Sequence, residues 1–305
     1  MLISIFKSNQ RITNVFTIVI TSILWICAFY GKEGFIINKW IDGFLAISLI
    51  VVQSIWINRI VNQNKLIERS SYITSLIFVI LYGVVFFVKD YHLILVANLF
   101  IIGAFDQLLR LYNLKNKIDI LFNASLLVGV ASIFYFPYMV YFIFIWVVLV
   151  YISTPIWRDF IVPLLGFLIP PLYVVVYYFV FKDLKQLDWK NEFIEVSGIG
   201  LIPVSVKTML ISLAVVTALS IYMLLQIISK SVVRVKKMLW VVILMSLFGL
   251  ATYILNGQSF ISSIISTTIP LAIIIAAFFE KLRKLWLAEI IFSLLLANLI
   301  WTYFS

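Results

Sequence analysis

Apolar residues run through this chain in long stretches broken by short polar intervals. The intervals predict eleven helices at about 12–30, 41–61, 72–88, 91–111, 120–136, 138–154, 160–181, 208–229, 238–256, 260–279 and 285–304. Most approach or exceed the ~20 apolar residues that carry a helix across a hydrocarbon core of about 30 Å. The runs are continuous, whereas a membrane-spanning β-barrel alternates lipid-facing and lumen-facing residues. The expected fold is therefore an all-α polytopic transmembrane helix bundle of about eleven spans, forming a single transmembrane domain over 1–305. Two segments depart from the pattern. Residues 1–11 set Leu2, Ile3, Ile5 and Phe6 beside Lys7 and Arg11, which suits a short interfacial helix. Residues 182–207 mix Leu184, Leu187, Trp189 and Phe193 with Lys185, Asp188, Glu192 and Glu195, an amphipathic loop before the turn-like Ser197-Gly198-Ile199-Gly200.

Composition agrees with the pattern. Hydrophobic residues make up 64% of the chain and charged residues 12%, against about 25% charged in soluble domains. The run from Ile12 to Tyr30 is long for a signal h-region and lacks a small-x-small site before Lys32 and Glu33, so it is expected to stay as a membrane helix. A single cysteine, Cys27, allows no internal disulfide, and a single histidine, His92, allows no multi-histidine metal centre. No metal and no cofactor are expected.

The net charge of +10 is explained by where the cations fall. Counting from the N-terminus, alternate connections hold sixteen of the 23 Lys and Arg residues and the others hold seven. The positive-inside bias then places the N-terminus in the cytoplasm and, with an odd number of spans, the C-terminus outside. The outer set is balanced by Glu33, Asp42, Asp90, Asp183, Asp188, Glu192 and Glu195, so the excess charge is all cytoplasmic. The bilayer accounts for this basicity, and nucleic acid is not an expected partner. The run Lys230 to Lys237 reads as a stop-transfer flank, with attraction to anionic lipid as a second role.

Several residues are candidates for chemistry. Asp106 shares a helical stripe with Gly103 and Arg110; an ion pair to Arg110 and a substrate or proton site both fit. Glu289 lies one turn into the last span as an interfacial or interior carboxylate, and Glu33 and Asp42 flank the first outer loop. Trp157-Arg158-Asp159 opens the seventh span: Trp157 as an anchor, Asp159 as complement to the helix N-terminus, and Arg158 as a cap neighbour or a phosphate ligand. Pro163 suits the first turn, whereas Pro170 and Pro171 fall mid-span and predict freed carbonyls facing protein or a cavity. Tyr135-Phe136-Pro137-Tyr138 forms the outer turn between two short spans; Tyr135, Tyr138 and Tyr141 read as an interfacial belt or as the lining of a cleft for an acyl or prenyl chain. Ser259, Ser263, Ser266 and Pro270 form a small-residue stripe suited to close helix packing. Phosphate-binding glycine loops, dinucleotide turns and Ser/His/Asp sets are absent from the sequence.

The runs LFNASLLVGVASIFYFP (Leu121 to Pro137) and WRDFIVPLLGFLIPP (Trp157 to Pro171) resemble an uncharacterised family of bacterial polytopic inner-membrane proteins, with a similar basic-apolar N-terminus. The resemblance implies the bacterial inner membrane and a setting in envelope biogenesis, beside sugar-transferring enzymes. In architecture the chain is more distantly similar to multispanning glycosyltransferases that use polyprenyl-phosphate sugars. It departs from them at Gly31 to Trp40, too short for their catalytic loop, so none of their acidic residues is assigned here. Three functions follow as expectations: binding or moving an amphipathic lipid-linked substrate, polyprenyl or other, beside the seventh span; a non-catalytic scaffold for other membrane proteins in a complex; and secondary transport through Asp106.

Overall fold

The computed structural model describes residues 12–30, 38–67, 71–83, 91–112, 114, 117–181, 204–256, 260–282 and 285–304. Among these the chain is helical, with no strand. In order come α1 (Ile12–Tyr30), α2 (Asn38–Gln63), α3 (Ile73–Tyr82), α4 (Tyr91–Leu109), α5 (Ile118–Phe134), a 3-10 turn η1 (Phe136–Met139) and α6 (Val140–Ile152). Then follow α7 (Trp157–Phe181), α8 (Val204–Lys230), α9 (Val233–Asn256), α10 (Phe260–Lys281) and α11 (Leu285–Phe304). Each helix falls on one of the eleven predicted runs. Stretches in α2, α4, α7, α8, α9, α10 and α11, 7 helices, are long and apolar enough to cross a membrane. Shorter apolar helices, of 10–17 residues, are Val15–Cys27, Ile73–Tyr82, Ile118–Phe134 and Phe136–Ile152. The interfacial segment at 1–11 lies outside the described residues, as does 182–203; Val204 to Lys207 open α8.

An apolar chain favours helices because each helix satisfies its own backbone groups where water is scarce. The breaks are chemical. At the end of α5 Tyr135 is extended (φ −146°, ψ 97°), and Pro137 sits at the start of η1, where its missing N–H costs nothing. At the end of α6 Ser153 is extended and its N–H closes on the Leu149 carbonyl (3.1 Å) before Pro155. α7 begins with a reciprocal cap: the Ile156 N–H donates to Asp159 Oδ2 (3.0 Å) and the Asp159 N–H to the Ile156 carbonyl (2.9 Å).

The chain divides into two compact units. The first comprises Met1–Val88, Ile199–Ser246 and Thr267–Ser305. Here α3 is buried along its whole described length, and the part of α10 from Thr267 to Phe279 is nearly so. α1 and α2 meet at Gly43, where a Cβ would fall 2.0 Å from Trp25 Cζ2, so any larger residue would displace the Trp25 ring. The Tyr303 hydroxyl of α11 donates to the Gly83 carbonyl just past α3 (2.6 Å). α8 and α11 pack together and keep broad apolar faces exposed. The second unit comprises Lys89–Gly198 and Leu247–Ser266. Its centre is α5, packed most extensively against α7 and α4.

Candidate functional site

The proline-bearing helix α7 buries one narrow stripe, Asp159, Pro163, Gly166, Phe167 and Pro170, at helical spacing. That stripe meets the small residues of α5. A Cβ on Gly166 would lie 2.1 Å from Ser125 Oγ and 2.7 Å from the Phe122 carbonyl oxygen; one on Gly129 would lie 2.7 Å from the Phe167 carbonyl oxygen and 3.1 Å from Pro170 Cγ. Close backbone approach of this kind is how helices pack where apolar side chains gain little by leaving lipid. Pro171 cannot donate to Phe167, four residues earlier, so the freed Phe167 carbonyl is turned onto the Cα side of Gly129. The space beside Pro170 is thus taken by α5, and Pro171 is half-buried. After Pro170 no residue of α7 is buried: Leu172, Tyr173, Tyr177, Phe179 and Phe181 are all exposed.

Pro270 in α10 poses the same problem and receives a different answer. It leaves the Ser266 carbonyl without its helical donor, and the buried Tyr141 hydroxyl of α6 donates to that oxygen (3.0 Å). Ser266 Oγ and Thr252 Oγ1 both reach the Gly249 carbonyl, at 2.7 and 2.6 Å. The turn tyrosines are interior residues. Tyr135 stacks edge-on against Tyr138 (4.8 Å between centroids) and Tyr138 against Tyr141 (5.5 Å). Tyr138 is fully buried, and its hydroxyl donates to Asn98 Oδ1 of α4. The rings predicted as a belt or cleft are buried, with Tyr138 reaching α4 and Tyr141 reaching α10. Asn98 escaped the sequence reading, although a carboxamide inside an apolar span signals a partner.

Asp106 pairs with Arg110 one turn on (2.5 Å); the carboxylate is buried and the guanidinium largely exposed. Lys117 Nζ donates to the Thr154 carbonyl (3.0 Å), which sets the α4–α5 and α6–α7 connections at one end of the second unit. Tyr135 lies at the far end of α5, about 25 Å away along 17 residues. Arg158 stands at the first end too, exposed, with its Cζ 5.4 Å from the Trp157 ring centroid. The predicted residues therefore fall into three places: Asp106 and Arg158 at one end, Tyr135 and Tyr138 at the other, and Pro170 and Pro171 on α7 between. Glu289 is half-buried in α11; Glu33 and the side chain of Asp42 lie outside the described residues. Among the described residues, no group of three or more His, Cys, Asp or Glu is placed to hold a metal.

A groove of about 280 Å³ opens in the first unit between α8, α10 and α11. Its walls are Ser212, Val215, Val216 and Leu219 of α8, Phe278 of α10, and Ile291, Leu294 and Leu295 of α11. Ser212 donates its hydroxyl to the Met209 carbonyl (2.8 Å), so the lining offers hydrocarbon rather than hydrogen bonds. Behind Leu295 a cavity of about 20 Å³ reaches Ile77, Leu81, Leu213 and Phe279. The groove volume is just under the ~300–1,000 Å³ of small-ligand pockets. Chemically, the groove can hold a hydrocarbon chain.

Neither the family models nor the curated proteins nor the solved structures contain a match to this chain.

Proposed function

We propose that the chain is a multi-pass protein of the bacterial inner membrane that serves envelope biogenesis by binding or moving an amphipathic, lipid-linked substrate. The observation that carries this reading is the apolar groove between α8, α10 and α11, deep enough for one chain and open along its side. Its position replaces the cavity expected beside α7. In this proposal all eleven helices cross the membrane, with the N-terminus cytoplasmic and the C-terminus outside, as the sixteen-to-seven division of cations supports. The setting is proposed from the resemblance read in the runs Leu121–Pro137 and Trp157–Pro171. A polyprenyl chain is one substrate of the right chemistry.

One observation favours scaffolding of other membrane proteins as a second reading. The last turns of α7, from Leu172 to Phe181, expose apolar and aromatic side chains on every face but that of the half-buried Val174 and Tyr178, a surface another membrane helix could cover. Transport through Asp106 has less support, because the Arg110 pair accounts for that carboxylate. Purification in mild detergent followed by native mass spectrometry separates the two readings. A retained lipid that Leu294→Trp displaces supports the substrate reading; a stoichiometric protein partner with no groove-dependent lipid supports the scaffold and removes the first proposal.

A further inference from the structure

The helices that line the groove also carry lysines toward one of their ends. On α10, Lys281 follows the lining residue Phe278 by three positions, which puts both on one helical face about 4.5 Å apart along the axis. On α8 the stripe of Leu219 runs through Met223 and Gln226 to Lys230, about 16 Å farther. These positions point to the same end of the first unit. Thr302 of α11 meets Met209 of α8 (3.9 Å), so the two helices run antiparallel, and α10 reaches α11 through a short connection. The C-termini of α8 and α10 and the N-terminus of α11 therefore lie together. Lys281 is half-buried there, Lys230 exposed and Trp286 exposed. The described carboxylates on α10 and α11 are Glu280, beside Lys281, and Glu289, two residues before the lining Ile291.

We infer that groove and lysines form one site for a single-chain lipid phosphate, with hydrocarbon between α8 and α11, the phosphate at Lys281, and Lys230 completing the cationic rim. The inference rests on the lipid-binding reading above and adds the chemistry of the headgroup. One chain suits the groove's size of about 280 Å³, just under the range of small-ligand pockets. An anion is indicated by charge complementarity. A long lysine stem can lie along the apolar wall while its ammonium reaches the headgroup layer, where each such charge strengthens anion binding measurably.

The test is a native mass spectrometric titration of the full chain in mild detergent with farnesyl phosphate, farnesol, palmitate and phosphatidylglycerol. Farnesyl phosphate is expected to bind most tightly. Lys281→Gln weakens it about five- to tenfold and leaves farnesol unchanged, Leu294→Trp weakens both, and Arg59→Gln, an exposed cation on α2, weakens neither. If Leu294→Trp removes farnesyl phosphate but Lys281→Gln does not, the headgroup site is wrong and the lipid-binding reading stands. Palmitate or phosphatidylglycerol binding as tightly as farnesyl phosphate overturns the assignment to a single-chain phosphate. Insensitivity of every ligand to Leu294→Trp overturns both.

Discussion

The carbonyl oxygen of Phe167 lies 2.7 Å from where a Cβ on Gly129 would stand, so two residues thirty-eight positions apart in sequence settle how α5 and α7 meet. Pro171 frees the carbonyl and Gly129 leaves the room for it. Gly166 repeats the relation in reverse against Phe122 and Ser125. Two mid-span prolines suggest a cavity beside the helix, whereas the stripe of α7 up to Pro170 is seated on α5 and the residues beyond it are not buried.

Gly129→Ala should therefore push the helices apart, because the nearest obstacle is backbone and not a side chain that can turn away. A loss of about 1–3 kcal/mol is expected, as for overpacking in other cores. Thermal unfolding in detergent measures it, with Leu165→Ala on the exposed face of α7 as a control that should change little. Equal stability of Gly129→Ala and the native chain would contradict the packing described.

Tyr141 and Pro270 should be energetically coupled. Tyr141→Phe removes a buried hydrogen bond to the Ser266 carbonyl and is expected to cost about 1–3 kcal/mol. In a Pro270→Ala background the backbone N–H restored at position 270 can serve as the helix's own donor, and the same change should cost less. A double-mutant cycle on unfolding reads the coupling directly; strict additivity would mean that the Tyr141 bond does not answer the proline.

Asp106 and Arg110 form a pair one turn apart at a helix end with an exposed guanidinium, a geometry worth about 0.3–0.5 kcal/mol. Asp106→Asn should leave cellular function and membrane insertion intact. A loss of function in a normally inserted Asp106→Asn protein would reassign the carboxylate to proton or substrate handling.

Much of the fold could be read from the chain because a helix in lipid needs only a continuous apolar run, and each of the eleven runs carries one. The break at Tyr135-Phe136-Pro137 was equally readable, since Pro137 has no donor to continue α5. Partner choice was not. Nothing local to Pro171 names Gly129, and nothing in Tyr138 names Asn98, because tertiary pairing depends on which helix faces come together. The groove was the least readable feature: Val215, Leu219, Ile291 and Leu294 have the same chemistry whether they face lipid, a neighbouring helix or a ligand. Only the approach of three helices distinguishes them.

The threading makes its own prediction. In a Cys27→Ser background, cysteine at Leu187, in the segment outside the described residues, should react with an impermeant thiol reagent added to intact cells. Cysteine at Val233, exposed at the start of α9, should react only after the cells are opened. The reverse pattern would invert the orientation.

The central claim, that the groove holds a lipid chain, is tested most directly by a photo-crosslinking residue placed at Leu294 in living cells, with Val150, exposed on α6 of the second unit and no part of the groove lining, as reference. The account predicts that the adduct at position 294 is dominated by one single-chain lipid that position 150 does not capture. The same mixture of bulk phospholipids at both positions would contradict it.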